Sequence, residues 1–173
     1  MKLGALVLLA SAAFAAAKPT VYLIRHGEKP ADGGNGLSDK GKQRAECLRK
    51  VFGASSPYNI GHIMAQTPQS DGSRARPRDT VKPLAADLGI KIDVSCDRDD
   101  TDCVQDVVDG YKGQGNILIC WEHKQLNNIA EALGAKKVDN YPDDAFNIIW
   151  TQPAPYNKIV KVSSEDCPGL DSH

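Results

Sequence analysis

Residues 21–30 of this chain read VYLIRHGEKP. Val21, Tyr22, Leu23 and Ile24 suit a pleated backbone, and no polar residue interrupts them. An apolar run without alternation is the pattern of a strand buried on both faces, as in a parallel sheet. The run then delivers a cation, an imidazole and a glycine in succession: Arg25, His26 and Gly27. Burying such groups without partners is costly, so this strand end is a candidate site.

Working outward, the chain alternates strand-like and helix-like segments. After the first strand (residues 20–26), LSDKGKQRAECLRKVFG (37–53) reads as a helix with Ser38 as N-cap and Gly53 as its stop. IGHIMAQ (60–66) is a short strand, and RDTVKPLAADLG (78–89) is helical despite Pro83. IKIDVS (90–95) reads as a strand and TDCVQDVVDGYKG (101–113) as a helix. GNILICWEH (115–123) is a second apolar strand, again ending in histidine, and QLNNIAEALGA (125–135) is a helix. AFNIIWTQ (145–152) and KIVKVSS (158–164) are the last strands. The alternation predicts an α/β layered fold with a mostly parallel sheet. In such sheets ligands bind beyond the carboxyl ends of the strands, which places His26 and His123 at one rim.

The chain has 173 residues, with 21 Lys and Arg against 22 Asp and Glu. A net charge near zero argues against a general nucleic-acid binder. MKLGALVLLASAAFAAAK at the start has one Lys, an apolar stretch, then small residues, the layout of a secretory signal peptide cut near Ala17. The expected organisation is a signal peptide over 1–17 and a single domain over 18–173, with no membrane association after cleavage and export to the extracellular space. No N-x-S/T sequon is present. Five cysteines in an exported chain predict disulfides with one thiol left over. Cys96 and Cys103 flank an acidic loop that they can close, and Cys120 lies in an apolar run that suits a buried thiol. By elimination, Cys47 and Cys167 would tether the C-terminal tail to the first helix. None of the spacings resembles a zinc site.

The ordered set RHGEK (25–29), LSDKGKQRA (37–45), an Arg-containing R-x-x-x-T stretch (76–80) and an apolar strand ending in His123 resembles the histidine phosphatase superfamily, also called phosphoglycerate mutase-like. The resemblance spans most of the chain beyond residue 17. It implies a three-layer sandwich, a mostly parallel central sheet flanked by helices. It also implies a phosphatase that hydrolyses small-molecule phosphomonoesters through a phosphohistidine on His26, with no metal or other cofactor. By the resemblance, Arg25 and Arg76 are the phosphate-binding arginines and His123 is the second histidine, in contact with the phosphoryl oxygens. Arg74 and Arg78 match no motif position, His62 reads as structural, and His173 has no evident role.

The chemistry agrees with that assignment. A phosphomonoester is an anion, so a neutral imidazole nitrogen attacks it without repulsion. Guanidinium forks stay charged, hold the oxygens and stabilise the charge that spreads over them. Gly27 is expected to let the backbone approach the phosphate.

The leaving oxygen needs a proton. Where some branches of the superfamily carry an Asp after the second histidine, this chain has Lys124. The segment that carries a Glu in other branches reads SCDRDDTDC (95–103) here, and Asp99 or Asp100 is the expected donor. Glu122 is a rival, although strand alternation would turn it away from His123. Glu28 is a candidate to orient Arg25 or a nearby backbone group. Lys29, Asn35, Lys124 and Gln125 are candidate rim residues for the leaving group, with Gly27 and Glu28 beside the phosphate. The missing Asp leaves an alternative: a phosphate-binding or interaction protein on the same fold with little turnover.

Overall fold

The computed structural model describes residues 17–171. The expected signal peptide therefore lies, but for Ala17, outside the described residues, as does His173. The elements run β1 (Val21–Arg25), α1 (Asp39–Val51), β2 (Ile60–Ala65), α2 (Arg76–Leu88), α3 (Thr101–Gly110), β3 (Asn116–Trp121), α4 (His123–Leu133), β4 (Ile148–Gln152) and β5 (Lys161–Ser164). The sheet order is β2-β3-β1-β4-β5.

The three expected layers form because apolar residues of the strands face both ways. On β3, Ile117, Ile119 and Trp121 join Val104, Leu126 and Ile129 on the side of α3 and α4. Leu118 and Cys120 join Leu48, Phe52, Val81 and Leu84 on the side of α1 and α2. Each strand residue therefore has a hydrophobic layer to enter, which is why β1 and β3 show no polar alternation.

The sheet is mixed, which corrects the mostly parallel expectation. β2 with β3 and β3 with β1 are parallel, whereas β1 with β4 and β4 with β5 are antiparallel. A parallel neighbour needs a crossover of a dozen or more residues, and the short link from β4 to β5 can only fold back as a hairpin. The segment 134–147 after α4 carries the chain around so that β4 enters from the opposite end of the sheet.

Residues 90–95 do not form a strand. They touch β2 at a single bridge, Met64 with Asp93. Asp93 Oδ1 accepts bonds from the Ser95 amide at 3.0 Å and its hydroxyl at 2.6 Å, a local turn that competes with the ladder.

Helix α1 starts as expected, with Ser38 Oγ accepting from the Gly41 amide at 3.1 Å. Helix α2 starts two residues earlier than its pattern suggested, at Arg76. Pro77 sits in its first turn, where no amide bond is forfeited. Disulfides join Cys47 to Cys167 and Cys96 to Cys103, and Cys120 is free and buried. Among the described residues no helix is long and apolar enough to cross a membrane.

Candidate active site

Parallel pairing sets the ends of β1 and β3 side by side, with Arg25 opposite Trp121. The His26 amide continues the ladder by donating to the Trp121 carbonyl at 3.1 Å. Two residues beyond Trp121, His123 opens α4, with Glu122 as the N-cap residue. The chain leaving β2, the other neighbour of β3, leads to Arg76 at the start of α2. Three parallel strands thus direct Arg25, His26, Arg76 and His123 to one rim.

His26 is buried, and its Nδ1 lies 2.7 Å from the Gly27 carbonyl oxygen. A carbonyl only accepts, so Nδ1 carries the hydrogen and Nε2 keeps its lone pair. Burial, helped by the Arg25 and Arg76 charges, lowers the pKa of His26 to about 4. The imidazole is therefore neutral near pH 7. The Gly27 amide donates to Thr80 Oγ1 at 2.8 Å, and that hydroxyl donates to the Arg76 carbonyl at 2.7 Å. Thr80 of the R-x-x-x-T stretch thereby ties the first turn of α2 to the loop that carries His26.

Gly27 is required by packing as well. A Cβ there would lie 2.9 Å from the Gly41 carbonyl oxygen, so the missing side chain lets the loop pack on α1. The position serves the joint between loop and helix.

Arg25 is buried, and burial lowers its pKa. Its Nη1 donates to the carbonyls of Asp143 at 2.8 Å and Ala145 at 2.6 Å, and its guanidinium lies 3.7 Å from the Phe146 ring centroid. Its Nε is buried without a partner. Arg76 donates from Nε to the Gly36 carbonyl at 2.8 Å and from Nη2 to that of Gly34 at 2.6 Å. Among the described residues neither arginine makes an ion pair, so both guanidinium groups spend their hydrogens on carbonyls and not on a contacting carboxylate.

His123 lies between two carboxylates. Its Nε2 is 2.7 Å from Asp143 Oδ1. Its Nδ1 is 2.9 Å from Glu122 Oε1 but has no aligned hydrogen bond. Alternation was expected to turn Glu122 away. The strand has already ended at Trp121, however, and the N-cap position brings the carboxylate back beside the ring. Glu122 Oε2 also accepts from Arg98 Nη2 at 2.9 Å.

The other expected residues either have partners of their own or line hollows beside the site. Asp100 is spent as the N-cap of α3, accepting from the Cys103 amide at 3.0 Å. Asp99 Oδ1 takes bonds from Arg98 and, at 2.7 Å, from Gln125 Nε2. Glu28 does not orient Arg25; it grips Arg44, with Oε1 2.7 Å from Nη2. Lys29 lines a hollow with Ala31, Ser38, Lys40 and Phe146, and Lys124 lines another with Tyr141, Pro142 and Asp143. Asn35 Nδ2 donates to the Asp71 carbonyl at 3.3 Å.

Sequence reasoning missed the segment 142–146, which supplies carbonyls to Arg25, an aromatic face from Phe146 and a carboxylate from Asp143. It also missed Thr80 as a connector, although Thr80 stands in the motif that singled out Arg76. Among the described residues, no group of three or more His, Cys, Asp or Glu side chains is arranged to hold a metal ion.

Together the layers, the strand order and the rim make an α/β fold that recurs in other solved structures. No family model matches the sequence, and no curated protein matches it. Solved structures do. A proposed phosphohistidine phosphatase SixA from Agrobacterium tumefaciens superposes with a TM-score of 0.52 at 15% identity, covering 84% of this chain and 97% of that one. A proposed α-ribazole-5′-P phosphatase from Escherichia coli gives 0.51 at 15% identity, over 85% of this chain and 97% of that one. A proposed SixA from Nakamurella multipartitia gives 0.50 at 15% identity, over 84% and 95%. At such identity the likeness is one of fold, and the chemistry rests on this chain's own residues.

Proposed function

We propose that this protein is a secreted phosphatase that hydrolyses phosphomonoesters through a phosphohistidine on His26. The observation that carries the reading is the bond from His26 Nδ1 to its neighbour's carbonyl, which leaves Nε2 free as a nucleophile beside two unpaired guanidinium groups. Arg25, Arg76 and His123 hold the phosphoryl oxygens and stabilise their charge as the bond to the leaving group breaks. This cationic cradle fills the role that a divalent cation plays in other phosphoryl-transfer sites, so turnover is expected to survive chelators. Residues 1–17 and the two disulfides support export. The proposed activities of the fold relatives, on phosphohistidine and on a small phosphate ester, fit a phosphorylated substrate.

The test is brief incubation with a labelled phosphomonoester and a quench that avoids acid. Label on His26, and loss of turnover by at least about a thousandfold in His26→Ala, is the expected outcome. An active preparation that never carries label on His26 would rule out the mechanism. The second reading, a phosphate-binding protein with little turnover, draws on Asp99 and Asp100 being engaged elsewhere. Tight vanadate binding with no hydrolysis even of activated aryl phosphates would favour it.

A further inference from the structure

We propose that Asp143, in the loop between α4 and β4, is the proton donor to the leaving group. The assignment rests on the phosphatase reading and deepens it. Asp143 joins two parts of the site: its backbone carbonyl accepts from Arg25 Nη1 at 2.8 Å, while its carboxylate contacts His123 Nε2 at 2.7 Å. Its side chain is 86% exposed, so water reaches the carboxyl and can exchange its proton. The rival carboxylates are committed: Glu28 to Arg44, Asp99 to Arg98 and Gln125, Asp100 to the start of α3. Glu122 is bound to Arg98 and faces the other ring nitrogen of His123.

The groups that face Asp143 are His123 and Lys124 from α4 and Arg25 from β1, and the bond from His123 is the main reason its carboxyl lies below the usual carboxylate range. An arriving phosphoryl dianion changes both conditions. One of its oxygens takes over the His123 Nε2 bond, and its charge disfavours a second anion alongside, so Asp143 takes up a proton from water. His26 Nε2 then bonds to phosphorus as the ester P–O bond breaks, and the departing oxygen takes the proton from Asp143. In the second half, the Asp143 carboxylate accepts a proton from a water whose oxygen attacks phosphorus. The N–P bond breaks and inorganic phosphate leaves, with Asp143 protonated again.

A donor matters most where the leaving group is poor. The experiment measures kcat on an alkyl phosphate and on an activated aryl phosphate for the wild type, Asp143→Asn, Asp143→Glu and Glu122→Gln. Asp143→Asn is expected to slow the alkyl ester by about 10²–10³-fold and the aryl ester by less than about tenfold. Asp143→Glu should recover part of the alkyl activity, and Glu122→Gln should show no such dependence on the leaving group. Equal slowing of both esters by Asp143→Asn, or the steep pattern appearing in Glu122→Gln instead, overturns the assignment while leaving the phosphatase reading in place. A wild type that hydrolyses neither ester overturns that reading, and the assignment with it. Thermal unfolding midpoints of the variants check that each is folded, as expected for a change at an exposed position.

Discussion

The rim of the sheet and the junction of α1 with the C-terminal tail both gather arginine and carboxylate side chains, but in opposite proportions. At the rim, Arg25 and Arg76 spend their donors on backbone carbonyls, which satisfy hydrogens without cancelling charge. At the junction, one buried guanidinium, Arg44, meets Glu28, Glu165 and Asp171 at 2.7–2.9 Å. The first arrangement keeps cation in surplus and open to an external anion. The second satisfies its cation internally and leaves carboxylate in surplus. The same side chains therefore make a binding site or a structural clamp according to whether their partners carry charge. The clamp also has a covalent companion: Cys47, three residues after Arg44 on α1, is bonded to Cys167 of the tail.

Breaking each cluster at its arginine should separate the two roles. Arg44→Met strands three carboxylates, two of them with almost no solvent contact, and should cost about 3–5 kcal/mol of stability. Chemical denaturation of the oxidised protein measures it. The fraction that remains folded should keep most of its turnover number, because Arg44 bonds to Glu28, Glu165 and Asp171 and not to Arg25, His26, Arg76 or His123. Arg76→Gln is the converse experiment. It removes one charge without a contacting carboxylate and should lower kcat/KM by about 10²–10³-fold, as loss of a transition-state donor does, while changing stability by about 1 kcal/mol or less. Comparable losses of stability in both variants, or of turnover in both, would show that the two clusters are not functionally separate.

How much of this was legible in the sequence follows from the range of the forces involved. The apolar runs of β1 and β3 encode burial on two faces, and the strand-end rule then brings His26 and His123 together without further information. Cys96 with Cys103 followed from the acidic loop they flank, and Cys47 with Cys167 by elimination, once Cys120 was placed in an apolar run. The α4–β4 loop was hidden because the sheet was read as mostly parallel. In a parallel sheet, residues before a strand lie at the far rim from His26. Since β4 is antiparallel to β1, with Ile149 opposite Ile24, the residues preceding it arrive at the rim of the site. That one error of direction concealed Asp143 and Phe146. Glu28 was assigned near the site because it is close in sequence, whereas its partner Arg44 lies 16 residues on, and Arg44 in turn reaches Glu165 and Asp171 in the C-terminal tail. The role of Asp100 had a local signal: an Asp directly before TDCVQDVV is a helix N-cap by residue type.

The smallest expected effect sharpens the comparison through pH. Three carboxylates around one guanidinium are more than it can keep ionised without water, and burial puts the excess proton on Glu165, whose pKa rises to about 8. In the unfolded chain a Glu titrates near pH 4.5, so between about pH 4.5 and 8 the folded state binds a proton that the unfolded state has lost. Stability from this group is full below that window and declines as pH rises through it. His26 works in the other direction: its pKa is depressed to about 4, so protonation favours the unfolded chain as pH falls below about 6.5. The clamp should therefore weaken the fold on the alkaline side and the site on the acid side. Glu165→Gln keeps the shape of the side chain and removes its titration. Between pH 6 and 8 the wild type should lose on the order of 1–2 kcal/mol more than this variant, read from denaturant midpoints at each pH. A wild-type curve as flat as that of Glu165→Gln would mean that Arg44 keeps all three carboxylates ionised, and the contrast with the cation-rich rim would then lie in geometry alone.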